Sequence, residues 1–144
     1  MIVFIAVADI AVCVIGNQVL DKATRDACRA AASQTNLADA TNAANAALSI
    51  HKTSGFISQP TLKHIVFADN GGIPGGVIVG GVAQPNPTVT VSATLSVQLP
   101  TGSTTGPLNL SLKGQENISS KGEVTFARQY TFPIIRQNLN LNAF

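Results

Sequence analysis

The sequence predicts an α+β fold, with one N-terminal α-helix of about 50 residues followed by a small antiparallel β-rich head. Three observations predict it. Residues 17–52 contain neither Pro nor Gly and are rich in Ala, Leu, Lys, Arg and Gln, all good helix formers. From Gly55 and Pro60 onward, Gly and Pro recur at short intervals, as turns require. Thr88 to Leu99 alternates strictly between polar and apolar residues, the period of a half-buried strand. The chain therefore divides into a helix over 1–53 and a head over 54–144, since 144 residues hold one core and not two.

Within the helix, Met1 to Gly16 is apolar apart from Asp9, and the apolar character extends weakly to Leu20. Residues 1–20 thus read as a membrane or filament-core half, close to but short of the roughly 20 residues that span a bilayer. The first basic side chain is Lys22, so a secretory signal with a basic leading region is not expected. The half over 21–53 is amphipathic. Its apolar positions Val19, Ala23, Ala27, Ala30 or Ala31 and Leu37 recur at steps of three and four, while Asp21, Lys22, Arg25, Asp26 and Arg29 fall mostly off that stripe. Asp21–Arg25 and Lys22–Asp26 are opposite-charge pairs at helical spacing.

A straight helix of this length would reach about 75 Å, and a chain this small cannot bury it alone. Small residues also let helices approach closely. The predicted subunit-packing surface is therefore Met1, Ile2, Phe4, Ile5, Asp9, Ile10, Val14, Val19, Ala23 and Ala27. Asp9 has two readings, a partner for a positive group of a neighbouring subunit or a single acid tolerated near an interface. Cys13 and Cys28 lie about 22 Å apart on a continuous helix, beyond the reach of an intrachain disulfide. They read as small buried hydrophobes or as partners in a bridge between subunits.

In the head, Leu62 to Ala68 reads as a strand. Residues 69–81, DNGGIPGGVIVGG, have loop and hairpin chemistry; they lack the Lys-Ser/Thr ending and following helix of a phosphate-binding loop. In the strand over 88–99, Val89, Val91, Ala93, Leu95, Val97 and Leu99 share the apolar face. The polar turn over 100–107 leads to Leu108, Leu110 and Leu112, which predicts an antiparallel hairpin with that strand. A last strand runs from Gly122 to Ile135, with Val124, Phe126, Arg128, Tyr130 and Phe132 on one face and a break at Pro133. The sheet would hold four or five strands. The final NLNLNAF offers a further edge strand. Asn109 and Asn117 stand in N-glycosylation acceptor patterns, while Pro87 excludes Asn86.

Several function classes have no support. Charged residues are 11% of the chain and hydrophobic ones 45%, with a net charge of only +2 and no basic run, so nucleic-acid binding lacks an electrostatic footprint. The two histidines, His51 and His64, join no cluster at metal-ligand spacing, and no haem-attachment motif occurs. No nucleophile motif accompanies the serines. We therefore expect no cofactor, no metal and no enzymatic activity.

An apolar helix running into an Ala-rich amphipathic half and then a β-rich head resembles the type IV pilin superfamily. The segment VIGNQVLDKATRDACRAAA, Val14 to Ala32, is similar to the one after the membrane helix in TadE/TadG-like pseudopilins of the tight-adherence (Flp) system. The likeness covers about the first 50 residues, and the head in general pattern. It implies a pilin-like fold, embedding in the cytoplasmic membrane before assembly, processing by a prepilin peptidase, and handling by an inner-membrane pilus-assembly machinery. Met1 fits a processed start, while Ile5 stands where the family carries Glu and Asp9 is the only acid nearby. The expected function is a structural subunit of an extracellular, cell-surface helical filament, a homo-oligomer with helices inside and β domains outside. Alternatives are a minor pseudopilin or membrane-anchored pilus-assembly component, and a membrane-stalked surface adhesin module.

Overall fold

The computed structural model describes residues 2–51, 55–73, 75–100, 115–118 and 122–134. The chain is α+β, but its helical part is two helices and not one. Helix α1 spans Ile2–Ala32 and α2 spans Leu37–Ile50. At 31 residues α1 is about 46 Å long, well short of the 75 Å expected.

The break at 33–36 carries no Gly or Pro. It is made by a polar run, Ser33-Gln34-Thr35-Asn36, whose side chains satisfy the helix ends. Ser33 Oγ and Gln34 Nε2 donate to the Ala30 carbonyl at 2.8 and 3.3 Å, and the backbone N–H of Gln34 donates to that of Ala31 at 3.1 Å. Asn36 then caps α2 from extended backbone, with Oδ1 accepting from the Asp39 amide at 2.8 Å and Nδ2 donating to the Asp39 carboxylate at 2.7 Å. The turn lets α2 fold back so that Ala40, Ala44 and Leu48, spaced by four, are buried where α2 packs on α1 and on the strand Thr61–Ala68. A continuous helix would have left them in water.

The head is a four-stranded antiparallel sheet and a separate two-stranded hairpin. In chain order the strands are β1 (Thr61–Ala68), β2 (Ile78–Val79), β3 (Val82–Ala83), β4 (Thr88–Gln98), β5 (Gln115–Ile118) and β6 (Glu123–Pro133). The sheet order is β1-β4-β6-β5, and β2 pairs with β3 alone. Both helices lie on one face of the sheet, α1 on β4 and β6 and α2 on β1. Burial along β4 alternates as the sequence predicts, with Val89, Val91, Ala93, Leu95 and Val97 all buried. On β6 the predicted face holds too. Val124 and Phe126 are buried, and Arg128, Tyr130 and Phe132 are half-buried beneath α1. A register shift between Leu62 and His64 inserts a residue into β1, so that Leu62, Ile65 and Phe67 pack against the core. On the opposite face, hydroxyls pair across strands, Thr61 with Thr94, Thr90 with Thr131 and Ser96 with Thr125.

The predicted hairpin between 88–99 and Leu108–Leu112 does not fit this topology. One edge of β4 is taken by β6 along its whole length, and the other by β1 and, beyond it, by Phe56 to Ser58. A strand has two edges only. Leu108–Leu112, Asn109 and the final NLNLNAF lie outside the described residues.

Candidate functional site

Helix α1 carries two apolar faces, and their fates differ. The inward face, Cys13, Gly16, Leu20, Ala23, Thr24, Ala27, Cys28 and Ala31, recurs at helical spacing and is buried on the sheet. Alanines and a glycine keep the helix close. A Cβ built on Gly16 would stand 2.5 Å from Val97 Cγ2, so this helical glycine answers to packing and not to flexibility. Thr24 satisfies its hydroxyl by donating to the Leu20 carbonyl at 2.7 Å.

The outward face is exposed at 3, 4, 7, 11, 14, 15, 18, 22, 25 and 29. With 3.6 residues per turn, the positions from 3 to 22 fall on the side away from the sheet, whereas Arg25 and Arg29 reach back to Tyr130 and Phe132 at its edge. The stripe is apolar through Val3, Phe4, Val7, Ala11, Val14 and Ile15, and then becomes polar and basic with Gln18, Lys22, Arg25 and Arg29. Phe4 is 82% exposed, Val3 73% and Val7 58%. An apolar surface of this extent on a helix ordinarily meets another apolar surface.

The predicted subunit-packing residues divide accordingly. Phe4 and Val14 lie on the outward stripe. Asp9, Ile10 and Val19 are half-buried, and α1 includes Ile2 and Ile5. Met1 lies outside the described residues. Ala23 and Ala27 are fully buried in the chain's own core, in one cluster with residues of α2 and of the sheet. Val3, Val7 and Ile15 belong to the outward stripe and were missed. Their signal was present, because they share the three- and four-residue spacing of Phe4 and Val14.

A polar network fixes α1 against β6. Tyr130 donates its hydroxyl to the Asp21 carboxylate, and Arg25 reaches the same carboxylate at 2.9 Å and the Tyr130 oxygen at 3.3 Å. The Arg25 guanidinium stands 5.3 Å from the centre of the Tyr130 ring, and Arg29 is 5.7 Å from that of Phe132. Arg128 donates to Asn17 Oδ1 at 2.8 Å. Apart from the Asp21–Arg25 pair within α1, each tie runs from α1 to β6, so the network sets the helix's rotation and therefore which stripe faces outward. At the end of α2, His51 Nε2 lies 3.3 Å from Asp26 of α1.

Both cysteines are free and buried. Burial pushes the Cys28 thiol up, while its Sγ lies 3.3 Å from the Tyr130 carbonyl and 3.5 Å from that of Val89. Burial, and then the charge of Asp9, pushes Cys13 up. Neither thiol is presented to a neighbouring copy. Asn117 falls in β5, opposite Thr125 of β6. Among the described residues no His, Cys, Asp or Glu side chains gather in a group of three that could hold a metal.

The second exposed apolar feature is the β2–β3 hairpin. Gly80 and Gly81 form its two-residue turn, both at positive φ (60° and 84°), as a type I′ turn requires. Its base is closed by the Gly76 amide on the Gln84 carbonyl at 2.8 Å and the Gln84 amide on Val77 at 2.9 Å. Asn70, in the turn after β1, donates its side-chain amide to the Pro85 carbonyl just beyond the hairpin. Val77, Ile78, Val79 and Val82 are all exposed. Among the described residues, no helix is long and apolar enough to cross a membrane. Comparison with protein-family models, with curated proteins and with solved structures finds no match to this chain.

Proposed function

We propose that this chain is a structural, pilin-like subunit of an extracellular helical filament, with the α1 helices inside and the sheets outside. The observation that carries the reading is the apolar outward stripe of α1 from Val3 to Ile15, opposite the face spent on the chain's own sheet. A helix apolar on two opposite sides needs two partners, and its own chain supplies one. Burying the stripe between copies would contribute roughly 25 cal/mol per Å² of apolar area removed from water. The likeness of Val14 to Ala32 to the tight-adherence pseudopilins points the same way and brings with it membrane embedding before assembly, a prepilin peptidase and an inner-membrane assembly machinery.

The test is negative-stain and then helical electron cryo-microscopy of material sheared from producing cells, with mass spectrometry of the main band. Continuous thin fibres made of this chain support the reading. A chain that stays in the membrane fraction at low copy number, with no fibre, overturns it. A specific observation favours that second reading of a membrane-anchored assembly component: Lys22, Arg25 and Arg29 follow the apolar stripe on the same face, as basic residues do beside an anionic leaflet.

A further inference from the structure

Two exposed apolar surfaces stand out on the described chain, the outward stripe of α1 and the β2–β3 hairpin. The hairpin is unusual in being apolar on both sides. Ile78 pairs with Ala83 and Val79 with Val82, adjacent pairs that face opposite ways on a two-stranded ribbon. Ile78 is 71% exposed and Val82 64%. The ribbon packs on no other helix or strand to any extent among the described residues. It is a stiff apolar finger that the chain's own core does not use.

What could cover it is narrowed by composition. No charged residue occurs between Asp69 and Lys113, so nothing on the finger recognises a charged ligand. Residues 70–100 also contain no Lys, Arg, Phe, Tyr or Trp, the residues that hold a surface element at a lipid interface or anchor a protein hot spot. An uncharged aliphatic surface is complementary to another such surface, and this chain carries one. Between Val3 and Ile15 the outward stripe of α1 has no charged residue, because Asp9 falls on the opposite side of the helix.

We propose that the β2–β3 hairpin of one copy docks on the outward stripe of α1 in the next copy, an inference that rests on the filament reading above. Like-with-like pairing would need two separate interfaces to cover both surfaces, whereas hairpin on helix covers both with one. The contact joins two different surfaces, so it propagates from copy to copy, as a fibre requires. The contact brings Val77, Ile78, Val79 and Val82 onto a stripe running from Val3 to Ile15, far fewer residues than the roughly 20–30 a side of a stable binary interface. It therefore holds in an array and not between two isolated copies.

The experiment is disulfide trapping in assembled fibres of a chain carrying both Val7→Cys and Ile78→Cys. Cys13 and Cys28 are buried and do not compete. After mild oxidation, a denaturing non-reducing gel is expected to show a ladder of covalent oligomers from the double variant and monomer alone from either single variant. Dimers from Ile78→Cys alone or Val7→Cys alone would show like-with-like contacts and overturn the proposal. So would monomer from the double variant within intact fibres, which leaves the filament reading standing. A wild-type chain that forms no fibre at all overturns both. A companion variant, Ile78→Asp with Val82→Asp, is expected to cut fibre yield at least tenfold with an unchanged unfolding midpoint, because both positions are exposed. Undiminished yield would count against the contact even if the cysteine variants failed to assemble.

Discussion

The inward and outward faces of α1 are built from overlapping residue types, yet one is core and the other surface. Inward, Gly16, Ala23, Ala27 and Ala31 are small and buried, Gly16 against Val97 and Leu95 and the alanines in the core shared with α2 and the sheet. Outward, Val3, Phe4, Val7, Val14 and Ile15 are large and exposed. The difference teaches that side-chain volume, more than hydrophobicity, separates a face meant for close packing on a twisted sheet from one that fills space against something larger. Small residues let the backbone approach, and large ones supply area.

The sharpest way to break this comparison is to truncate a phenylalanine on each side of it. Phe126→Ala, beneath α1 and fully buried, is expected to cost about 3–5 kcal/mol in chemical denaturation. Phe4→Ala should stay within about 0.5 kcal/mol in the same measurement and act on assembly instead. Equal losses at the two positions would mean that the outward stripe has a partner inside the chain.

A smaller effect is expected where the helix approaches most closely. Gly16→Ala improves helix propensity by about 1 kcal/mol but drives a Cβ into Val97, and overpacking of this kind costs about 1–3 kcal/mol. The expected net result is a lower unfolding midpoint that Val97→Ala in the same chain partly restores. A rise in midpoint from Gly16→Ala alone would show that α1 sits farther from β4. Next in size is the cap of α2. Asn36→Ala removes the bond to the Asp39 amide and should cost about 1 kcal/mol, read as a lower midpoint with part of the helical circular dichroism lost first. No change would indicate that α1 runs on through residues 33–36.

The smallest expected effect is on pH dependence. Burial raises the folded-state pKa of Cys28 above its unfolded value, so the folded form holds a proton that the unfolded form releases. Its contribution is fully present below the ordinary thiol range and is lost as pH rises from about 8.5 through the raised folded value. Stability should fall over that alkaline window and fall less in Cys28→Ala, compared by unfolding midpoints from neutral to alkaline pH. Identical slopes for the two chains would place the thiol in contact with water.

Much of the fold was legible because it depends on period alone. The strands at 88–98 and 123–133 and the face each buries follow from alternation, while at 61–68 only the strand itself was legible, because a bulge breaks its alternation. The tight hairpin follows from a Gly-Gly pair at positive φ. The site was only partly legible. Phe4 and Val14 are exposed on the outward stripe, whereas Ala23 and Ala27 are buried in the chain's own core.

The sequence by itself determined which residues form helix and strand and which side of each is apolar, since steric and hydrophobic periodicity are local properties. The tertiary structure alone decided three things. It turned α2 back at the polar break over 33–36, because that direction buries Ala40, Ala44 and Leu48. It gave both edges of β4 to β1 and β6, because edge pairing is a competition among distant segments that no local pattern records. And it chose which apolar face of α1 met the sheet, because the ties of Asp21, Arg25 and Asn17 to Tyr130 and Arg128 set the helix's rotation across more than a hundred residues of chain.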